Sequence, residues 1–300
     1  FPGEGFTVTA TIDKVLSEID KEELIELVKH LGNIDSPPHH ETEVAEFIES
    51  WLKKEGIKTK VLSLIEDRPN VIGTIKGIGG GYSLLFNSHI DTAVSEHNVF
   101  SRRNYMEPIF HQAWQDGERL FGTGVVNDKG PMACFLIAAK AIKEAGITLK
   151  GDLLLTAVSG EIAWEPVDEF KSPWSPGHAV GARFISRHGA IADYAVVAES
   201  TGSTFAWVQA GKLFVKITVF GGDRIYTPFL KGPYTLRDNP NAIVRMTSVV
   251  QKLQEWASTY EKQHTYAYPG GTLIPKVAIG AIRGGEPYNI DGTSEICSIY

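Results

Sequence analysis

The sequence predicts an α/β fold: a largely parallel sheet flanked by helices, with an α+β insertion after about residue 210. Three observations predict it. Dense apolar β runs at 83–86, 152–158 and 192–197 are interleaved with helical periodicities, and strands buried on both faces belong to parallel sheets covered by helices. Polar, chemistry-bearing stretches stand just after those runs, where open α/β sheets gather their active sites. Past residue 210 the order changes to strand, helix, strand, strand, which suits a smaller antiparallel sheet with a helix on one face.

In chain order, Leu24, Ile25, Leu27, Val28 and Leu31 recur at helical spacing. A second helix spans 42–54, carries Val44, Phe47, Ile48 and Leu52, and stops at Gly56. Runs at 71–75 and 83–86 read as strands of a hairpin joined by the glycine-rich turn 77–81. That turn is no phosphate loop, because no helix follows it. Pro131 opens a helix over 132–145 that Gly146 ends. The Pro- and Trp-rich stretch 164–176 reads as an ordered surface loop. In the later part, 212–220, 277–282 and 294–300 are expected strands and 241–256 a helix. The expected domains are 1–209 and 210–300.

Three hundred residues, 43% of them hydrophobic, are ample for one large or two moderate cores. A formal charge of −7 without a Lys/Arg stripe argues against nucleic acid or an anionic membrane surface as partner, and favours a small-molecule substrate. Cys134 and Cys297 form neither a disulfide framework nor a metal knuckle, and both are expected to be buried thiols in a reducing, cytoplasmic setting. No apolar run approaches membrane-spanning length. The chain begins without Met and stops inside a strand-like run, so further sequence downstream is expected.

Four stretches carry the chemistry: Ser88-His89-Ile90-Asp91, the glycine-flanked run 122–130, Gly160-Glu161-Ile162 and Glu199-Ser200-Thr201. His89 and Asp91 fall on one side of an extended segment, so the carboxylate can fix one imidazole tautomer for a metal; taken alone, a His-x-Asp after a strand is more often a structural pair. Asn127 and Asp128 stand in a turn before a helix, where either can face a ligand or cap the helix. Glu161 follows a buried strand beside apolar Ile162, a setting that desolvates a carboxylate toward a general base; a surface acid is the plain alternative. Glu199 alone reads as a solvated or capping acid.

Taken together and in this order, these stretches resemble the metallohydrolase family of aminoacylases, acetylornithine deacetylases, succinyl-diaminopimelate desuccinylases and carboxypeptidases. Glu41, Asn241-Ala242, Gly284-Gly285 and Asn289 are further matches. The resemblance implies a zinc-exopeptidase-like catalytic domain with an inserted lid that pairs subunits into a homodimer or higher homo-oligomer. It implies that His89 is a metal ligand, Asp91 its orienting carboxylate, Glu161 the general base and Glu199 a further ligand. Two departures matter: the family's bridging aspartate falls on Asn127, and the second acid of its Glu-Glu pair on Ile162. Both weaken the same metal position, leaving His89, Asn127 and Glu199 for one divalent ion, zinc or manganese, with Asp128 as a substitute for Asn127. The family's lid histidine is absent from Gly221-Gly222-Asp223-Arg224-Ile225-Tyr226, so Arg224 and Tyr226 become candidate substrate-binding residues, against the plain reading of Arg224 as a surface ion pair. Trp114, Trp164, Trp174 and Tyr226 are candidates for an aromatic pocket, core packing being their commoner fate. The implied activity is metal-dependent cleavage of a C–N bond, foremost an amide. The alternatives are hydrolytic deamination of an aromatic amine, the reaction of divergent nitroanthranilate aminohydrolases, and a binding protein of the same fold without catalysis.

Overall fold

Backbone polar groups in a sheet interior need partners, and an all-apolar strand satisfies both its faces only at the centre of such a sheet. That is the place of β6 (Leu153–Val158), all six residues of which are buried. In the computed structural model, which describes residues 4–92, 112–162, 178–286 and 290–300, β6 lies between β2 (Pro69–Ile75) and β3 (Leu84–His89). The sheet continues to β1 (Lys58–Ser63) on one side and β7 (Tyr194–Val197) on the other, in the order β1-β2-β6-β3-β7. β3 runs parallel to β6 and to β7, while β1 and β2 are antiparallel additions. The parallel part of this mixed sheet, β3, β6 and β7, ends at three of the four polar stretches, whereas the run 122–130 follows β5 of a separate two-stranded sheet. The loop 164–176, with Trp164 and Trp174, and Asn289 lie outside the described residues.

The hairpin expected between 71–75 and 83–86 does not form, because β6 separates the two strands. Its glycine turn instead lies along the chain that enters β6: Ile78 N–H donates to Leu149 O, Gly79 N–H to Lys150 O and Gly77 N–H to the Asp152 carboxylate. A glycine run signals a turn, but the partner of the next strand is chosen by burial.

Helices cover the sheet through apolar stripes. α2 (Lys21–Asn33) buries Leu27, Val28 and Leu31, and α3 (Thr42–Lys54) buries Val44, Ala45, Ile48, Trp51 and Leu52. With α4 (Lys129–Glu144), which buries Met132, Ala133, Leu136 and Ile137, they form one core against Val71, Leu153, Leu155 and Ala157. Four elements were not expected from the sequence: α1 (Glu4–Ser17), the strands β4 (Trp114–Asp116) and β5 (Arg119–Phe121) of a short hairpin, and α5 (Val180–Ser186). Cys134, expected to be buried, is exposed on α4, since an apolar run conceals which of its positions faces outward. Cys297 is buried as expected. Among the described residues no helix is long and apolar enough to cross a membrane.

Asp20 caps α2, its carboxylate accepting the N–H groups of Glu22 at 2.8 Å and Glu23 at 3.2 Å. Replacing it by Ala removes both bonds and is expected to cost about 1 kcal/mol, read as a lowered denaturant midpoint with an unchanged slope.

The chain divides into two compact units, Phe1–Ser203 and Thr204–Tyr300. In the second, β8 (Ile217–Phe220), β11 (Ile282–Gly284) and β12 (Ile296–Ile299) form an antiparallel sheet in the order β11-β12-β8. It packs on α6 (Ala242–Gln263) through Met246, Cys297 and Ile299. Asn241 caps this helix by accepting the Ile243 N–H. α6 runs seven residues past the expected end at 256, and a small hairpin, β9 (Tyr266–Tyr268) and β10 (Gly271–Leu273), follows it. The strands are shorter than expected: 212–216 and 277–281 lie outside them, although Gly280 N–H still donates to Tyr300 O and Tyr300 N–H to Ala281 O.

Candidate metal centre

Because β3, β6 and β7 run parallel, their carboxyl ends reach the same edge of the sheet. Register places His89 opposite Val158 and Asn87 opposite Val197. Three residues beyond Val158 stands Glu161, and two beyond Val197 stands Glu199. Topology alone therefore brings three distant stretches together, and one ligand atom each of His89, Glu161 and Glu199 lies within 4.8 Å of the others. His89 Nε2 is 3.8 Å from Glu161 Oε2 and 4.0 Å from Glu199 Oε1.

Asn127 completes the group. Its Oδ1 lies 2.7 Å from His89 Nε2, and its Nδ2 donates to Glu199 Oε2 at 2.8 Å. The turn that carries it is tight: a Cβ on Gly130 would lie 2.0 Å from Val125 O, so the backbone crosses itself there only with glycine. Asp128 faces the other way. It is fully buried, and its Oδ2 accepts the Ser88 hydroxyl at 2.5 Å and the His89 N–H at 3.2 Å. It stands at the N-cap of α4 without making a side-chain cap bond, so the capping reading is not what its carboxylate does. Burial pushes it up to about 6, against the opposing pull of Ser88 and His89.

Asp91 is wholly buried, but His89 Nδ1 meets its main-chain carbonyl at 2.8 Å, whereas Asp91 Oδ1 is 3.6 Å away. The tautomer is thus fixed by a carbonyl, which forces Nδ1 to donate and leaves Nε2 facing Asn127, Glu161 and Glu199. The Asp91 carboxylate is engaged elsewhere: Oδ2 accepts the Ile162 N–H at 2.7 Å and Oδ1 the Glu161 N–H at 3.3 Å. Burial, the largest single influence on His89, lowers it, yet Asp91, Asp128 and Glu161 together raise it to about 9. The field at Nε2 favours positive charge. Glu161 itself is 41% exposed, so the desolvation expected from Ile162 is not seen; Ile162 contributes its amide, and its side chain has no ligand atom.

Sequence reasoning gave no role of their own to three polar residues of this unit, although Lys129 lies in the run 122–130. Arg68, 2% exposed, donates from Nε and Nη2 to Glu41 Oε1 at 2.8 and 2.6 Å. His178 Nδ1 donates to the Glu161 carbonyl at 2.8 Å. Lys129, 1% exposed, sends Nζ to Ile34 O at 2.5 Å. No periodicity announces such residues; only the polarity of 68–70 at the start of a buried strand hints at one.

Lys129 yields a pH signature. Burial lowers its ammonium to about 8, despite Asp35, Asp91 and Glu43. Below about 8 the folded and unfolded chains both hold the proton, and folding carries the cost of burying the charge. Between 8 and the ordinary lysine value of 10.5 the unfolded chain holds more protons, so stability rises with pH, in sum by about 3 kcal/mol. The stability of the parent relative to Lys129→Met is therefore expected to climb over that window, as denaturation midpoints measured from pH 7.5 to 10.5 will report.

Of the other candidates, Arg224 and Tyr226 lie in the second unit and Trp114 in the first. Arg224 Nη2 pairs with Asp291 at 2.8 Å, and Tyr226, half exposed, bridges Gly292 and packs edge-on to Phe229. Trp114 stacks on Phe121, ring centroids 4.4 Å apart.

No family model matches the sequence. The chain is 34% identical over 189 residues to N-formyl-4-amino-5-aminomethyl-2-methylpyrimidine deformylase of Bacillus subtilis, covering 61% of this chain and 40% of that protein. It is 24% identical over 289 residues to a probable succinyl-diaminopimelate desuccinylase of Staphylococcus aureus, covering 95% of this chain and 65% of the relative. The chain thus spans well under the full length of the curated relatives it matches. Its fold is that of an M20 family metallo-carboxypeptidase from Sulfolobus solfataricus, with a TM-score of 0.56 at 13% identity over 93% of this chain and 70% of the other. The chain is thus similar in sequence to a deformylase and to desuccinylases, and it shares the fold of an M20 family metallo-carboxypeptidase, the resemblance expected from the ordered polar stretches.

Proposed function

We propose that the chain carries the metal site of a hydrolase that cleaves an amide C–N bond in a small-molecule substrate, as deacylases and exopeptidases do. The observation that carries this reading is the meeting of His89, Glu161 and Glu199 within 4.8 Å, with Asn127 spanning His89 and Glu199. The donor set fits a divalent ion: an imidazole nitrogen held in one tautomer, an amide oxygen and a carboxylate form a mixed N/O site suited to zinc or manganese. His89, Asn127 and Glu199 would hold it, and one ion is the expected number, because Ile162 offers no donor and Asn127 no charge to offset a second dication. Bound there, the ion supplies Lewis acidity toward water and the amide carbonyl.

The rest of the chemistry belongs to the chain. Glu161, next to the ligand cluster and open to solvent, accepts a proton from the attacking water. The hydroxyl adds to the carbonyl carbon, the C–N bond breaks, and Glu161 returns the proton to the departing amine nitrogen. Asp91 holds the main chain of Glu161 while its own carbonyl orients His89. Arg224 and Tyr226 of the second unit are the proposed contacts to substrate, and that unit is the proposed surface for pairing with a second copy. The amide reading leads because the named relatives are a deformylase and a probable desuccinylase; the aromatic-amine reading rests on the single expected metal, the missing lid histidine and the number of tryptophans.

Chelation and metal rescue test it. The full chain, stripped and then resupplied with Zn²⁺ or Mn²⁺, is assayed against N-formyl aminomethylpyrimidine, N-succinyl and N-acyl amino acids, dipeptides and substituted anilines. Metal-restored release of an amine from an amide is expected. Ammonia from anilines alone would move the assignment to an aminohydrolase, and no metal uptake at all to a binding protein.

A further inference from the structure

We propose that Arg68 is a positioning residue for Glu161, acting through Asp91 on the turn that follows β6. The inference rests on the reading of Glu161 as the proton acceptor. After Val158 the chain turns through Ser159, Gly160, Glu161 and Ile162, and Arg68 meets that turn from beneath. The Ser159 hydroxyl donates to Arg68 O at 3.0 Å, and the Ser159 N–H donates to Asn70 Oδ1, two residues on, at 3.0 Å. A Cβ on Gly160, whose φ is +81°, would lie 3.4 Å from Arg68 Nη1 and 3.5 Å from Cζ, so the guanidinium is packed against the residue before Glu161. Arg68 Nη2 is 3.6 Å from Asp91 Oδ2, the atom that accepts the Ile162 N–H.

One guanidinium therefore stands between two wholly buried carboxylates, Glu41 and Asp91. A buried ion pair adds little net stability over apolar groups of the same volume, so stability alone does not account for it. What the guanidinium does is geometric. It neutralises the repulsion between the two acids and lets Asp91 spend both oxygens on the amides of 161 and 162, while His178 holds the Glu161 carbonyl from the other side. The Glu161 main chain is fixed on both of its polar groups, although its side chain is exposed. Without the guanidinium, Asp91 turns to other donors and the amides are released.

Arg68→Lys keeps the charge but loses the planar fork. The readouts are amide hydrogen exchange, bound Mn²⁺, thermal midpoint, and kcat and KM for whichever amide the parent hydrolyses. Faster exchange confined to 161 and 162 is expected, with β6 protection and Mn²⁺ content unchanged, and kcat lowered about 10- to 100-fold at constant KM. Should Arg68→Lys fail to fold, Glu41→Gln/Arg68→Met, which removes one charge of each sign, carries the same readouts. Unchanged exchange at 161 and 162 would overturn the proposal, as would exchange that rises equally throughout β6. A parent that hydrolyses no amide overturns the reading of the activity, and the exchange and Mn²⁺ measurements then decide the role of Arg68 by themselves.

Discussion

Glu161→Gln is expected to lower kcat by about 10²- to 10⁴-fold, the usual contribution of a placed proton acceptor, while leaving metal content unchanged. Gln keeps the shape and main-chain bonds of this turn, so the amides of 161 and 162 still reach Asp91, and what disappears is the carboxylate 3.8 Å from His89 Nε2. The two readouts must be taken together. Loss of turnover with loss of metal would make Glu161 a ligand, and retained turnover would remove it from the reaction. His89, Asn127 and Glu199 form the proposed ligand set and stand untouched in this variant.

Glu41→Leu has the largest expected effect on stability. It leaves Arg68, 2% exposed, without the carboxylate on which Nε and Nη2 converge, and, among the described residues, with Asp91 at 3.6 Å as the remaining ion-pair partner. An uncompensated buried charge costs about 3–5 kcal/mol, which for a protein of this size is a fall of about 10 °C in the thermal midpoint. Adding Arg68→Met removes the stranded charge and is expected to restore most of that loss. The double variant separates the two roles of the pair: stability returns, but catalysis does not, because the turn bearing Glu161 is still without its support. A double variant as unstable as Glu41→Leu would contradict the ion-pair account.

The centre was legible in the sequence because topology, not local geometry, assembles it. Apolar runs mark β3, β6 and β7, and residues just past the ends of parallel strands share an edge, so the stretches could be grouped before any distance was known, while the choice of His89, Glu161 and Glu199 within them came from the family resemblance. The helix 42–54 was equally plain, from its apolar stripe and Gly56. What local pattern does not encode is which neighbour a strand takes and where a turn aims its side chains. The glycine turn 77–81 announces a reversal, but β6, apolar on both faces, takes the central place and splits the hairpin. Asn127 and Asp128 are adjacent and chemically alike, and only the path of the turn sends one to His89 and the other to Ser88. Asp91 sits two residues from His89 as spacing requires, yet its carbonyl makes the contact and its carboxylate serves the next turn. Arg68 and His178 act on the main chain, a role that leaves no periodic trace, and the exposed face of α4 at Cys134 is hidden by the apolar run around it.

The account depends on a cation held between β3, the turn before α4 and the end of β7. Titration of the stripped chain with Mn²⁺ or Zn²⁺, read by calorimetry and by metal analysis after dialysis, measures this directly. One ion per chain is expected, lost in both His89→Ala and Glu199→Ala and retained in Arg224→Ala. Binding that survives removal of His89 and Glu199, or the absence of any binding to the parent, would contradict the account.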